Sequence, residues 1–288
     1  MIDLDRMEAQ LSAALTAPVG PPPVRARSAP AAAPRTRGRS GPQPASASAP
    51  ASVRELVERG AIDAVAARAA GAAHRRDQVT WVTMLALLEG RRDAVHRGIT
   101  ELEALAEAGD AEAAARAWVQ RFWAGFEWGT DDERLDVLDH CRTRAYRYDD
   151  LVWWGNLSLL LAAMGKPDEA VRAFDATLAL IADAPRDAVR FDVVTNMVEA
   201  AAFLGDAGRI AVAGRELRTP TGRFVVVGDG VVCKGSVDRY LALLHGATGD
   251  SATAGGYFRS AEAAHRAAGA EPLLARTRRQ ASTLVAAA

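Results

Sequence analysis

The stretch RFVVVGDGVVCKGS, Arg223 to Ser236, contains the residues from which phosphate-binding loops are built: closely spaced glycines, a lysine and a serine. A P-loop needs the order GxxxxGK[ST], because its glycines expose backbone N–H groups to phosphate and its lysine follows the last glycine. Here the order is Lys234-Gly235-Ser236, with the lysine first. The lysine would leave the loop before a helix begins, so the sequence does not predict a phosphate site.

A dinucleotide-binding turn is not predicted on this stretch either. That fingerprint needs a third glycine three residues after Gly230, and this position is Cys233. The neighbouring sequence also lacks the strand–helix–strand pattern of such a site. We therefore predict a connector, with Ser236 as the N-cap of a helix that begins near Val237.

Histidines and cysteines are spread along the chain without a recognisable grouping. The histidines form no HExxH motif, and no serine stands in a GxSxG motif. Cys141 and Cys233 lack a CxxC partner, which indicates reduced thiols in a cytosolic protein. The sequence predicts a non-enzymatic protein with no catalytic residue, metal site or cofactor. The five histidines are His74, His96, His140, His245 and His265.

Composition and charge limit the classes of partner. The formal net charge is -1, so the whole molecule has no field that attracts nucleic acid or an acidic membrane. The N-terminus is acidic where a signal peptide is basic, and no apolar run is long enough to cross a bilayer. We expect a cytoplasmic protein without membrane contact. Abundant alanine, the best helix former, favours an all-α fold.

The N-terminal region differs in composition from the rest. Residues 1–16 predict a short amphipathic helix, and residues 17–52, rich in Pro, Ala, Ser and Arg, predict a disordered linker. The arginines leave two interpretations, a solvated linker or a weak tether to nucleic acid or an acidic partner. The short helix either folds back on the body or docks onto a partner protein.

A repeated pattern begins after the linker. A helix ends at a glycine, a tight turn follows, and a second helix carries small and large apolar residues at fixed offsets, as in Ala170 and Phe174 after Gly165. Because two-helix units with such a period stack on their neighbours, the pattern predicts an α-solenoid. The turn glycines are Gly90, Gly129, Gly165, Gly205 and Gly249, which are 39, 36, 40 and 44 residues apart.

The repeated units resemble the tetratricopeptide repeat family from residue 53 to residue 288. The first-helix pattern of the family is visible at Trp154, Leu157, Ser158 and Leu161. The resemblance implies about five to six helical hairpins stacked as a solenoid, and a role in binding other proteins.

A narrower resemblance covers the last third of the chain. GRFVVVGDGVVCKGSVDRYLALLHGATGD is similar to the C-terminal helical region of large actinobacterial LuxR-type regulators and nucleotide cyclases. It implies that the Val-rich segment is an insertion between repeats and that the setting is signalling or transcription. The ATPase, DNA-binding and cyclase modules of those regulators have no counterpart in the sequence.

Six residues are candidates for a partner-binding groove on the concave face. Trp123 and Phe126 would be aromatic anchors, although they could instead pack against a neighbouring helix or a dimer mate. Asn156 and Asn196 stand nine residues before successive turn glycines and could hydrogen-bond an extended peptide, or could be solvated amides. The peptide-bonding role is what the resemblance to peptide-binding members of the family implies for these asparagines. Glu199 and Arg239 would be their neighbours in the same groove.

We therefore expect a non-enzymatic interaction scaffold, regulatory in setting, that binds a protein or peptide segment in this groove. The alternative is a sensor that binds a small molecule or signalling peptide and changes the curvature of the solenoid. A homodimer is compatible with both.

Overall fold

The computed structural model describes residues 51–217 and 221–287, with only the backbone described for Ala188 and residues 284–287. The predicted helix 1–16, and the linker 17–52 up to residue 50, lie outside the described residues. Within the described residues the chain is mostly helical, with one two-stranded hairpin, which confirms a predominantly helical fold.

Thirteen helices and two strands make up the described part of the chain. Before the hairpin lie α1 (Val53–Glu58), α2 (Ile62–Ala70), α3 (Arg75–Glu89), α4 (Arg92–Glu107), α5 (Ala111–Trp128), α6 (Asp131–Tyr148), α7 (Leu151–Ala163), α8 (Pro167–Asp183), α9 (Ala188–Phe203) and α10 (Ala207–Gly214). The hairpin consists of β1 (Phe224–Val227) and β2 (Val232–Ser236). After it come α11 (Val237–Ala247), α12 (Ser251–Ala267) and α13 (Glu271–Ala287).

Four of the five predicted turn glycines have the expected conformation. Gly90, Gly165, Gly205 and Gly249 have φ between 66° and 84°, the left-handed conformation that ends a helix at little cost to glycine. Gly129 does not: its φ is -56°, and the chain leaves α5 extended. Thr130 follows at once as the N-cap of α6, with a complete capping box, so no left-handed residue separates the two helices.

The second helices bury the faces that the repeat pattern indicates. Ala170, Phe174 and Thr177 of α8 are buried, and so are Ala254 and Phe258 of α12. Small residues let the helices approach each other, and the larger residue one turn later fills the remaining space. The pattern therefore located the core faces of these helices.

Consecutive helices pack on each other in chain order, and alternate helices also touch. Helix α3 contacts α5, α7 contacts α9, α9 contacts α11, and α11 contacts α13. Helix α13 in turn contacts α3, so that helices near the two ends of the described chain meet. An open solenoid would lack this last contact, because each of its units touches only its neighbours.

The hairpin lies inside this helical arrangement. Strands β1 and β2 pair antiparallel and contact α1, α3, α5, α9, α11 and α12. Val225 packs with residues of α9 and α11, whereas Phe224 and Val226 pack with α1 and α3. The β-branched run of the sequence is thus buried among helices from the beginning, middle and end of the array.

Candidate functional site

A β-bulge in the hairpin determines where its lysine points. Val225 pairs with Gly235 and Val226 pairs with Cys233, so that Lys234 is an extra residue on β2. Gly235 has φ of 99°, the conformation that glycine supplies at such bulges. Bulges re-aim side chains, and this one directs Lys234 onto helix α9.

The Lys234 ammonium is fully buried and surrounded by oxygen atoms. Its Nζ lies within hydrogen-bond distance of the Asp192 carboxylate (2.6 Å), the Asp192 carbonyl (2.8 Å), the Thr195 hydroxyl (2.6 Å) and the Asn196 carbonyl (2.5 Å), and its three N–H donors are shared among these four oxygens. It also stands 5.2 Å from the centre of the Trp123 ring. The four acceptors and the aromatic face are an environment for a positive charge.

Burial and the neighbouring carboxylate act on this lysine in opposite directions. Burial lowers the pKa of Lys234, and the charge and hydrogen bond of Asp192 raise it. The net pKa lies below the ordinary value for lysine. Because all four contacts are hydrogen-bond acceptors, the geometry fits the charged form.

The side chains of Asn156 and Asn196, which the sequence predicts to be equivalent, are hydrogen-bonded to each other. Asn196 Nδ2 on α9 donates to Asn156 Oδ1 on α7 at 2.8 Å, and both side chains are buried. The carbonyl oxygen of the same Asn196 amide accepts from Lys234. Both polar atoms of Asn196 and the carbonyl oxygen of Asn156 are therefore used within the protein.

A second group of charges continues the cluster towards the last helix. Arg239 makes two hydrogen bonds to the Glu199 carboxylate, at 2.6 and 3.0 Å, with both side chains fully buried. Glu199 is also 3.3 Å from Arg276 of α13, and Arg276 forms an ion pair with Glu127 of α5. We call these side chains, with Lys234 and its partners, the inner polar cluster: Glu127, Asn156, Asp192, Thr195, Asn196, Glu199, Lys234, Arg239 and Arg276.

Charge within the inner polar cluster is balanced. It contains three cations, Lys234, Arg239 and Arg276, and three carboxylates, Glu127, Asp192 and Glu199. Buried charges are tolerated when each is paired and hydrogen-bonded, and these are. The cluster is therefore neutral as a whole.

The structure brings the six predicted groove residues together, but in a buried position. Trp123 and Phe126 meet edge to face, with ring centres 5.4 Å apart, and the Arg276 guanidinium lies 4.6 Å from the Phe126 ring centre. None of the six is more than 7% exposed. The hairpin occupies the face where a partner was expected. Partner binding there stays a prediction, and it requires the hairpin to move. The six are Trp123, Phe126, Asn156, Asn196, Glu199 and Arg239.

Sequence reasoning missed Lys234 and Asp192 as members of this site. The order of residues around Lys234 excludes a phosphate loop but gives no sign that this lysine is buried. A signal was present in α9, where Asp192, Thr195, Asn196 and Glu199 follow the offsets i, i+3, i+4 and i+7. Such a polar stripe on an otherwise apolar helix marks a buried polar contact.

The ends of the hairpin are fixed by hydrogen bonds to the helices. Trp81 of α3 donates its indole N–H to the Asp229 carbonyl at 2.9 Å, and the Arg54 backbone N–H donates to the Asp229 carboxylate at 3.2 Å. Gln120 of α5 donates to the Val231 carbonyl at 2.9 Å. At the other end His265 Nε2 accepts the Ser236 N–H at 2.8 Å. These contacts hold the hairpin against helices along the whole array.

Ser236 also caps the helix that follows the hairpin. Its side chain accepts a hydrogen bond from the Asp238 N–H at 3.2 Å, and α11 begins at Val237. This confirms the predicted N-cap. The cap fixes the junction between hairpin and helix, and so the position of Lys234 two residues earlier.

No family model, curated protein or solved structure matches this chain. Over the described residues, no cluster of three or more His, Cys, Asp or Glu side chains could hold a metal ion. Within the same ranges, no helix is both long and apolar enough to cross a bilayer.

An open cleft of about 910 Å³ lies beside the inner polar cluster. It is formed by the ends of α5, α7, α9 and α11, the starts of α6, α10 and α12, and one side of α13. Its apolar lining includes Phe126, Phe203, Ile210 and Leu243. Phe203 is 47% exposed, which is unusual for a large aromatic side chain.

Four charged residues line this cleft: Glu127, Arg134, Arg276 and Arg279. Arg276 is neutralised by Glu127 and Glu199. Across the described ranges, Arg134 and Arg279 form no ion pair; the Arg134 Nε only donates to the Gly125 carbonyl at 3.3 Å. The cleft therefore combines an apolar floor with two uncompensated positive charges.

A smaller cavity, of about 390 Å³, lies between α4, α5 and α6. Its charged lining residues include both signs, for example Arg92 and Arg121 with Glu133 and Asp136. Arg121 pairs with Asp136 at 3.5 Å. Because its charges are partly paired, this cavity offers a ligand fewer unpaired charged groups than the larger cleft does.

Proposed function

We propose that this chain is a non-enzymatic regulatory module that binds a ligand in the open cleft, built as a tetratricopeptide-like array of helix pairs. The order of helix packing, the left-handed turn glycines and the buried faces of α8 and α12 support the array. The regulatory setting follows from the resemblance of the last third of the chain. Free buried thiols at Cys141 and Cys233 fit a cytoplasmic location.

One contrast carries this proposal. The inner face, where repeats of this kind would receive a partner, is filled by the hairpin and has balanced charges. The cleft beside it is open, apolar at its floor, and has unpaired positive charge. Sites for small ligands are concave, mostly apolar and equipped with a few polar groups, and measure roughly 300–1,000 Å³. At about 910 Å³ the cleft falls in that range.

A thermal-shift screen against metabolite mixtures tests the proposal. A ligand that binds the folded state raises the melting temperature, because it shifts the unfolding equilibrium by mass action. Every compound that raises it is then retested on Ser251→Trp, which places a large side chain at an exposed residue of the cleft lining. Ala66→Trp, at an exposed position on α2 outside the cleft, is the matched control.

We expect at least one compound whose effect is lost in Ser251→Trp and retained in Ala66→Trp. If compounds raise the melting temperature equally in both variants, they bind elsewhere and the cleft proposal is wrong. A screen without any stabilising compound also counts against a sensor and favours the second candidate.

The second candidate is the recruitment of a protein segment to the inner face after the hairpin is displaced. The six predicted residues do lie together on the alternate helices α5, α7, α9 and α11, which favours this candidate. Arg54→Cys with Asp229→Cys tests it, because the hydrogen-bonded pair Arg54–Asp229 joins α1 to the hairpin tip. Oxidation would lock the hairpin in place. Partner capture that is lost on oxidation and restored by reductant supports recruitment, whereas capture that ignores the lock rejects it.

A further inference from the structure

We propose that the ligand of the open cleft is an amphipathic carboxylate: an acyl or aromatic acid whose apolar body lies on the floor and whose carboxylate is held by Arg134 and Arg279. This inference rests on the proposed function, and names the chemical class that the same site would take.

The floor requires an apolar body. Phe203 lines the cleft, is 47% exposed to solvent, and meets Phe126 edge to face, with ring centres 6.2 Å apart. Ile210 and Leu243 also line the cleft, with 7% and 6% of their surface exposed. A ligand that covers exposed apolar surface removes it from water, and the resulting binding free energy is roughly proportional to the area covered. A small hydrophilic anion would leave this surface unused.

The charged groups require a negative head. Of the three arginines in the lining, only Arg276 has carboxylate partners among the described residues, Glu127 and Glu199. Guanidinium groups bind carboxylates through paired N–H donors, so Arg134 and Arg279 can supply the missing contacts. Helix dipoles do not decide the sign of the ligand's charge, because the cleft receives both the ends of α5, α7, α9 and α11 and the starts of α6, α10 and α12.

An extended peptide fits the cleft less well than an acid with an apolar body. Each peptide residue has a backbone donor and acceptor that must be paired when buried. The floor residues named above have no polar side-chain atoms to pair with them. Gln280, Ser251 and Thr283 are the uncharged polar side chains among the lining residues. A ligand with a single polar end matches this arrangement.

Titration calorimetry with the full chain tests the inference, using octanoate, 1-octanol and acetate as probes. The double variant Arg134→Gln with Arg279→Gln removes both unpaired charges. Arg278→Gln is the matched control, because it removes one positive charge from the exposed side of the same helix. Ser251→Trp is measured alongside as the blocked cleft.

We expect octanoate to bind the wild type and Arg278→Gln alike, at least about tenfold more weakly to the double variant, and not to Ser251→Trp. Octanol should bind weakly and equally to the wild type and the double variant, and acetate should not bind. Higher salt should weaken the binding of octanoate and leave the affinity for octanol unchanged. Equal octanoate affinity in the double variant, acetate binding as tight as octanoate, or no octanoate binding would each overturn the inference. In those cases screening hits that Ser251→Trp abolishes would still support the proposed function.

Discussion

Asn196 joins three parts of the molecule through one amide group. Its nitrogen donates to Asn156 on the neighbouring inner helix, and its oxygen accepts from Lys234 of the hairpin. These are the only two asparagines of the chain, and they stand forty residues apart. The relative positions of α7, α9 and β2 are thus fixed by two hydrogen bonds, one from the nitrogen and one to the oxygen of the Asn196 amide.

The asparagine pair predicts measurable coupling. In a double-mutant cycle with Asn156→Ala and Asn196→Ala, we expect a coupling energy of about 0.5–3 kcal/mol in the free energy of unfolding. Asn196→Ala should cost more than Asn156→Ala, because Lys234 also loses an acceptor. Urea unfolding supplies the values. Thr177→Val, whose hydroxyl bonds only within its own helix, is the control partner for Asn196→Ala. Coupling equal to that control would contradict the described network.

The buried lysine predicts a large and specific loss of stability. Lys234→Met should lower the free energy of unfolding by about 3–5 kcal/mol, because Asp192 remains buried without its counter-ion. Lys166→Met, at the only other lysine and in a partly exposed position, should change it by less than about 0.5 kcal/mol. Adding Asp192→Leu to Lys234→Met should recover much of the loss. If the double variant is less stable than Lys234→Met, the pair is not the source of the effect.

The bulge glycine predicts a cost beyond backbone strain. An alanine Cβ at Gly235 would stand 2.7 Å from His265 Nε2, in addition to the strain of its positive φ. Gly249 has a similar φ, and an alanine Cβ at that position would meet no atom within 4 Å beyond its own chain neighbours. We therefore expect Gly249→Ala to cost about 1–2 kcal/mol and Gly235→Ala clearly more. Denaturant unfolding compares them, and equal costs would show that the hairpin relaxes freely around Gly235.

His265 predicts acid sensitivity. Burial, and then the charge of Arg239, lower the pKa of His265 to about 3, and its Nε2 lone pair accepts the Ser236 N–H. In the unfolded chain the pKa of a histidine is near 6.5. Between that pH and about pH 3, His265 is therefore protonated in the unfolded chain and neutral in the folded chain. Stability from this group is therefore complete above about pH 6.5 and falls as the pH decreases towards 3. Between pH 7 and pH 5 the loss from His265 should be about 2 kcal/mol.

Unfolding in urea at pH 7 and pH 5 measures this loss. His265→Gln, whatever its stability at pH 7, should show a smaller decrease on acidification than the wild type. His74→Gln, at an exposed position, should retain the wild-type decrease. Parallel decreases in wild type and His265→Gln would mean that other groups cause the acid sensitivity.

The helical body was predictable because its signals are local. A glycine after a helix and apolar residues at helical spacing depend on a few neighbouring residues, and these placed Gly165, Ala170 and Phe174 correctly. Gly129 was the exception, because the capping box at Thr130 sets the turn by a different local rule. The N-cap at Ser236 was predictable for the same reason.

The path of the hairpin was not predictable in this way. A Val-rich run between glycines indicates strands, but where they pack depends on contacts across more than a hundred residues, such as Gln120 with Val231. The predicted groove residues came from the right helix faces, and these faces do meet. What the sequence did not show is that the chain supplies its own occupant for that space. The scarcity of lysine is a signal that points to Lys234, because the chain contains only two lysines.

The contact between α13 and α3 determines how the molecule can come apart. In a linear stack of repeats, terminal units fray and stability is a sum of nearest-neighbour terms. Here α13 rests on α3, and Phe224 and Val226 of the hairpin share a core with Val53 and Leu273, which lie near the two ends of the described residues. Loosening either end exposes the other. Unfolding of the described residues should therefore be a single cooperative event rather than fraying from one end.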